Sequence, residues 1–330
     1  MYRIQEPPNA IQLEMVEGCN LFCDFCGLQG IRTLKEKNLK FMSEETIESI
    51  AQQIADLKWN PRIEWAMHGE NTLHPEYIKF VYIMRKHNPN LSLMMTSNGG
   101  GLLRGPGPAK NIQALFDAGL NILALDDYVG VKIVPRIRES IREEGLKDVA
   151  IFDYPEQREG NPHIRANPGK TRMVSFIQDI SLADKGTHSL LNNHAGSGSP
   201  PNQNKQGKRC AKPFRELSVR WDGNVAICCN DWRGLYKCGN VVKDGLNAVW
   251  QSKAMGAARV KLYHGQRDFG PCNGCDAHSY RVGLLPDKYG KDSLPLPDST
   301  TLADIDDVLR GDPYTQPVLR PWEKKIATVE

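Results

Sequence analysis

From residue 11 to about 180 the chain alternates short apolar runs with longer stretches in which apolar residues recur at helical spacing, the pattern of β/α units around a parallel sheet. The runs at 11–16, 62–67, 91–96, 122–126, 149–153 and 173–178 predict strands. After the first, Ser43 with Glu45 and Thr46 opens a helix running to about Leu57, with Ile47, Ile50, Ile54 and Leu57 on one face. Further helices are expected to begin near Pro75, Lys110 and Pro135. Six strands with intervening helices predict an α/β fold, a partial (β/α)6 TIM-like barrel over residues 1–180 that is shorter than the eight-unit form.

The pattern breaks at 181–208, where "NNHAGSGSPPNQNKQGK" has no apolar period and reads as a linker or mobile loop. Residues 209–283 then predict a small C-terminal β-hairpin/α module. The remainder, 284–330, has scattered prolines and one candidate short helix at 302–309, and is expected to pack over the domains as an extension.

Charge adds little, since 42 basic and 39 acidic residues are interspersed and leave +3, with no basic stripe for nucleic acid or a membrane surface. The start, MYRIQEPPNA, has no basic segment leading into an apolar run, and no later stretch is long and apolar enough to span a bilayer. A cytoplasmic location without a membrane partner is expected. In that reducing setting, nine cysteines point to metal ligands or redox groups rather than disulfides, and the odd count agrees.

Three of the nine lie in "EMVEGCNLFCDFCGLQG": Cys19, Cys23 and Cys26, spaced CxxxCxxC. A structural zinc site closes with four ligands. Three thiolates on a four-iron cluster instead leave one iron open, which is a catalytic arrangement. The loop follows a strand, at the rim where barrels place their chemistry. With aromatic Phe25 before the last cysteine, the motif resembles the CxxxCxΦC pattern of the radical S-adenosylmethionine (radical SAM) superfamily.

That resemblance implies a 4Fe-4S cluster whose open iron is chelated by the amino and carboxylate groups of SAM. It also implies reductive cleavage to a deoxyadenosyl radical, hydrogen abstraction from substrate, and oxygen sensitivity. Phe25 would lie against the adenine. "AMHGENTLHPE" follows the second strand as the family's GGEP-type motif does, so Glu70 would receive the SAM ammonium, with His68 standing for the first Gly and Asn71 for the Pro. "TSNGG" ends the third strand and makes Ser97 and Asn98 candidates for the SAM carboxylate or ribose, against the alternative of a plain Asn-Gly turn. "LALDDY" ends the fourth, where Asp126, Asp127 and Tyr128 either face substrate or cap the next helix.

A second set comprises Cys210, Cys228, Cys272 and Cys275. "CAKPFRELSVRWDGNVAIC" turns at Asp222-Gly223 between two alternating runs, a hairpin that brings Cys210 and Cys228 together, and "CNGC" supplies two more ligands. Zinc ribbons use the same plan. The run CxₙGx₄C, "KCGNVVKDGLNAVWQS" and CxxC resembles the SPASM/twitch appendage of radical SAM enzymes, in the shorter form with one auxiliary cluster, which implies a second 4Fe-4S cluster on these four cysteines. Cys229 and Cys238 are left over. Strand alternation lets only one of Cys228 and Cys229 face the cluster, and the Gly-x₄-Cys count selects Cys228. A spare thiol either donates a hydrogen atom to a substrate radical or is a small buried hydrophobe.

The expected partners are SAM, an unidentified substrate, and an external electron donor such as flavodoxin or ferredoxin. Three substrate classes fit the resemblance: a ribosomal peptide, a sugar or aminocyclitol alcohol, or a nucleobase-linked group such as nucleotide or DNA. The auxiliary cluster would take the substrate electron or bind substrate. A non-enzymatic zinc or iron–sulfur protein and a pure electron carrier are the rivals, and neither needs Phe25, Glu70 or an open three-cysteine site.

Overall fold

The computed structural model describes residues 6–23, 25–30, 39–128, 130–154, 166–178, 192–198 and 209–277. The rest of the expected linker (181–191 and 199–208), the extension 284–330 and its candidate helix lie outside them. Each predicted strand forms: β1 (Ala10–Leu13), β4 (Arg62–Trp65), β5 (Leu93–Ser97), β6 (Ile122–Asp127), β7 (Ala150–Tyr154) and β8 (Met173–Gln178). A short antiparallel pair, β2 (Val16–Glu17) with β3 (Lys40–Phe41), frames the first cysteine loop. Helices α1 (Glu44–Asp56), α2 (Tyr77–His87), α3 (Pro108–Asp117) and α4 (Ile133–Glu144) fill the connections.

Helix α1 shows why the local prediction holds. Ser43 caps it by accepting from the Thr46 N–H at 3.2 Å, and Glu44 and Glu45 sit in the first turn, where the helix dipole favours acid. Ile47, Ile50 and Ile54 are fully buried, each contributing roughly 1.5–3 kcal/mol of apolar transfer. Leu57 serves as the C-cap and is only partly buried.

The strand order is β11-β10-β9-β1-β4-β5-β6-β8-β7. All pairings from β9 through β7 are parallel. Two features go beyond the sequence expectation. Strand β8 inserts between β6 and β7, so the last two barrel strands are exchanged in space. The hairpin of β9 (Glu216–Val219) and β10 (Asn224–Ala226) extends the barrel sheet, β9 running parallel to β1. With β11 (Lys237–Asn240) the module shares one nine-stranded sheet with the barrel, and Leu217, Val219 and Trp250 join Ile11, Leu13 and Ile54 in one core. Gln53 on α1 clamps the module, accepting from Leu246 N–H at 2.6 Å and donating to the Val241 carbonyl at 2.9 Å.

The inner face of the sheet is divided. Register places Gln12 between Glu64 and Ser218, and there Gln12 donates to Glu64 Oε2 at 3.0 Å and accepts from Ser218 Oγ at 3.3 Å. Arg62 pairs with Glu64, and Lys212 with Glu216 at 3.1 Å. These buried charges are thus paired, without which burial costs several kcal/mol. On the other half Met94, Ile122, Ala124 and Met173 make an apolar wall.

Candidate active site

At the C-terminal rim the backbone binds two loops edge to edge. Gly18 N–H donates to the His68 carbonyl at 3.2 Å, and Glu70 N–H donates to the Gly18 carbonyl at 2.9 Å. The approach demands glycine at 69, where a Cβ would stand 1.9 Å from the Val16 carbonyl oxygen. Cys19 and Glu70 are thereby held side by side.

Glu70 is buried and accepts four hydrogen bonds. Oε1 takes Thr72 N–H at 2.9 Å, the Thr72 hydroxyl, and the Ser97 hydroxyl at 2.5 Å; Oε2 takes Asn98 N–H at 2.6 Å. With roughly four lone-pair sites on a carboxylate, Oε1 is filled and Oε2 keeps acceptor capacity. Burial pushes the Glu70 carboxyl up, against the pull of its bonds from Ser97, Thr72 and Asn98. A cation placed at Oε2 would offset that desolvation.

Cys19, Cys23 and Cys26 line one cavity of about 250 Å³ together with Phe25, Glu70, Ser97, Asn98, Asp126 and Tyr128. Every residue expected to serve the cluster or SAM is therefore at one site. The hydroxyl of Ser97 and the backbone N–H of Asn98 are committed to Glu70, so these two first act by holding the carboxylate. The Phe25 and Tyr128 rings are 6.3 Å apart. Burial, with the Glu70 charge adding, pushes the Cys19 thiol up to about 12. Buried thiols in this setting suit a cation that takes the proton's place.

Sequence reasoning missed two residues that line the cavity, His194 and Trp232. Their rings meet edge to face at 5.1 Å, and Trp232 covers Gly27, where a Cβ would lie 2.4 Å from the indole. His194 belongs to the end of the expected linker, yet 192–198 is fixed. Asn193 accepts from Asp276 N–H at 3.2 Å, donates to the Gly274 carbonyl at 2.6 Å and gives its own N–H to Asp276 Oδ1 at 2.8 Å. Burial and the neighbouring His68 lower His194 to about 4, so it is neutral near pH 7.

The second set of cysteines gathers beneath this wall. Burial raises the thiols of Cys228, Cys272 and Cys275; further upward pushes come from Cys229, then Cys275 and Cys272, on Cys228, from Cys275 and Cys210 on Cys272, and from Cys210 on Cys275. Arg267 buttresses the loop by donating to the carbonyls of Cys275 at 3.1 Å and Ala277 at 3.2 Å. Among the described residues, no three His, Cys, Asp or Glu side chains stand close enough to share a single ion, in either set of cysteines. Cys229 faces away, with its sulfur accepting from Lys212 Nζ at 3.2 Å, and Cys238 is buried in the core. Neither lines the cavity.

The sequence matches the radical SAM superfamily over residues 13–147 and the iron–sulfur cluster-binding SPASM domain over 210–276. Curated protein sequences return no match. Among solved structures, BtrN in complex with AdoMet and 2-DOIA is similar over 85% of this chain and 97% of its own, at 19% identity and a TM-score of 0.61. BtrN in an open conformation aligns over 83% and 94%, at 17% identity and 0.56. AdoMet-bound anSMEcpe aligns over 84% and 93%, at 15% identity and 0.47. The BtrN likeness is one of fold, a partial barrel with an appended module, and the family matches carry the chemistry. The chain belongs to the radical SAM superfamily with a SPASM/twitch-type domain, an enzyme whose cofactors are SAM, a SAM-binding 4Fe-4S cluster and an auxiliary 4Fe-4S cluster.

Proposed function

We propose that this enzyme dehydrogenates a small alcohol that is uncharged or bears an amine. The observation that carries the reading is the cavity's charge. Among the described residues no Lys or Arg lines it; its acids are Glu70 and Asp126, and its histidine is neutral. Among the described residues a phosphate or carboxylate on the substrate would find no countercharge there, which favours a neutral or amine-bearing alcohol over a nucleotide. The fold neighbour BtrN holds AdoMet and 2-DOIA together.

In this reading Cys19, Cys23 and Cys26 hold the first cluster, and Cys210, Cys228, Cys272 and Cys275 the second. When bound, the first with SAM supplies a carbon radical that takes one hydrogen atom, and the second supplies an acceptor for the remaining electron. The chain's own residues do the rest. Glu70 Oε2 takes the SAM ammonium, fixed in place by Thr72, Ser97 and Asn98. Phe25 lies against the adenine. Trp232 and His194 close one wall and keep water from the reacting carbon. Asp126, on the inner face at the end of β6, takes the hydroxyl proton, so one hydrogen atom, one electron and one proton leave the alcohol and a carbonyl remains. An external donor such as flavodoxin or ferredoxin recharges the first cluster.

The test is deoxyadenosine release by anaerobically reconstituted protein with reductant, with Cys26→Ala as control, across amine-bearing alcohols, phosphorylated analogues, oligonucleotides and peptides. Acceleration by an amine-bearing or neutral alcohol, with a carbonyl product, supports the reading. Acceleration only by phosphorylated compounds, nucleic acid or peptides overturns the substrate class, and release by Cys26→Ala equal to the parent overturns the cluster.

A further inference from the structure

Asn98 makes four contacts that join the two halves of the cofactor site. Its backbone N–H donates to Glu70 Oε2 at 2.6 Å. Its Oδ1 accepts from Gly100 N–H at 2.7 Å, which fixes the orientation of the amide, because a backbone N–H must meet the oxygen and not the NH₂. The Nδ2 therefore points the other way, and it donates to Cys19 Sγ at 3.2 Å and to Asn20 Oδ1 at 3.0 Å. Gly100 permits the arrangement, since a Cβ there would lie 2.4 Å from Asn20 Nδ2 and 2.9 Å from Asn98 Oδ1.

We propose that the Asn98 side chain is a redox-tuning, positioning group for the SAM-binding cluster through its hydrogen bond to Cys19, rather than a recognition group for SAM. The proposal rests on the reading that Cys19, Cys23 and Cys26 hold that cluster. Cluster potentials are set in part by hydrogen bonds to the ligand sulfurs. A donor on a thiolate draws off negative charge and eases arrival of the next electron. Cys19 Sγ also accepts from Leu21 N–H at 3.3 Å, a donor that substitution at Asn98 leaves in place. The same residue bonds Glu70, so the carboxylate that takes the SAM ammonium and the sulfur that tunes the cluster move together.

The experiment is a redox titration of the reconstituted full chain followed by electron paramagnetic resonance, taking the first cluster as the signal that changes when SAM is added. Asn98→Ala removes the donor. Asn98→Asp keeps the shape and the acceptor for Gly100 while replacing the donor with a carboxylate oxygen, whose added charge should lower the midpoint further than Asn98→Ala does, and Asn98→Leu, neutral and of similar size, covers the case in which the alanine variant assembles poorly. The midpoint is expected to fall in all three, in the neutral two by about tenfold in the reduction equilibrium, or ~59 mV for one electron. An unmoved midpoint in any loaded variant, or weaker SAM binding without a redox change, overturns the proposal and gives the amide to SAM. Absence of any SAM-responsive iron–sulfur signal in the parent overturns the cluster reading itself.

Discussion

His68 Nε2 and the carbonyl oxygen of Cys229 meet at 3.0 Å, which ties the segment bearing Glu70 to the loop bearing Cys228. A carbonyl only accepts, so Nε2 carries the proton. The ring is fully buried, packs on Trp232 at 4.6 Å and turns Nδ1 toward Glu14 at 3.5 Å. His68 thus stands where the family motif has a glycine and serves as a strut between the Glu70 segment and the loop bearing Cys228. His68→Ala is expected to cost roughly 2–4 kcal/mol from the lost bond and the cavity and to loosen the auxiliary cluster. His68→Gln, which can still donate, should recover part of both. Thermal unfolding with iron analysis measures the pair of effects, and an alanine variant as stable and as iron-rich as the parent would show the strut to be dispensable.

The two adjacent cysteines at 228 and 229 make a sharper case. The Cys229 sulfur accepts from Lys212 Nζ at 3.2 Å, which leaves Cys228 as the proposed ligand. Cys228→Ser should therefore lose the auxiliary cluster, and with it about half of the iron and sulfide, while Cys229→Ser should keep both. Metal and labile-sulfide content read the answer directly. The opposite pattern would move the ligand by one position and reverse the face of the chain after β10.

The contrast between these neighbours also shows how far a sequence carries. Strand alternation is a local, two-residue property, but it does not reach Cys228 and Cys229: β10 ends at Ala226 and the two cysteines lie in the bend and turn beyond it, so the choice of Cys228 rests on the Gly-x₄-Cys count alone. Local periodicity does hold for the strand that ends in "TSNGG" and for the face of α1. Spatial neighbours are another matter: β8 slips between β6 and β7, and β9 joins β1, through pairings that leave no periodic trace. Trp232 is one indole in a run without apolar period. His194 lies in a segment whose Gly, Ser and Asn content reads as linker, and that segment is held by bonds from its neighbour Asn193 to Gly274 and Asp276, which are remote in sequence.

Gly69 tests the close approach of the two rim loops. A methyl group there would lie 1.9 Å from the Val16 carbonyl oxygen and 2.5 Å from that of Gly18, and backbone cannot swing aside as a long side chain can. Gly69→Ala should reach or pass the ~3 kcal/mol typical of severe overpacking, part Cys19 from Glu70 and abolish SAM binding. Equilibrium dialysis of SAM against the reconstituted variant is the measurement; parent-like affinity would mean that the loops do not need this contact.

His194 predicts a pH dependence whose sign follows from burial. Its ring is neutral in the folded chain down to about pH 4, by desolvation and the proximity of His68, against an ordinary value of 6.5. Between those two values the unfolded chain binds a proton that the folded chain does not, so stability falls as pH drops from about 6.5 toward 4 and is undiminished above 6.5. The full span corresponds to at most about 3 kcal/mol, and the partial exposure of His194 to the cavity reduces it. His194→Phe keeps an aromatic edge against Trp232 and cannot titrate. Anaerobic urea unfolding of parent and variant at matched pH should show the parent losing stability relative to the variant as pH falls from 7 to 5, with cluster lability common to both. A gap independent of pH would mean that His194 takes up its proton in the folded state, and would remove the neutral wall on which the charge argument for the cavity partly rests.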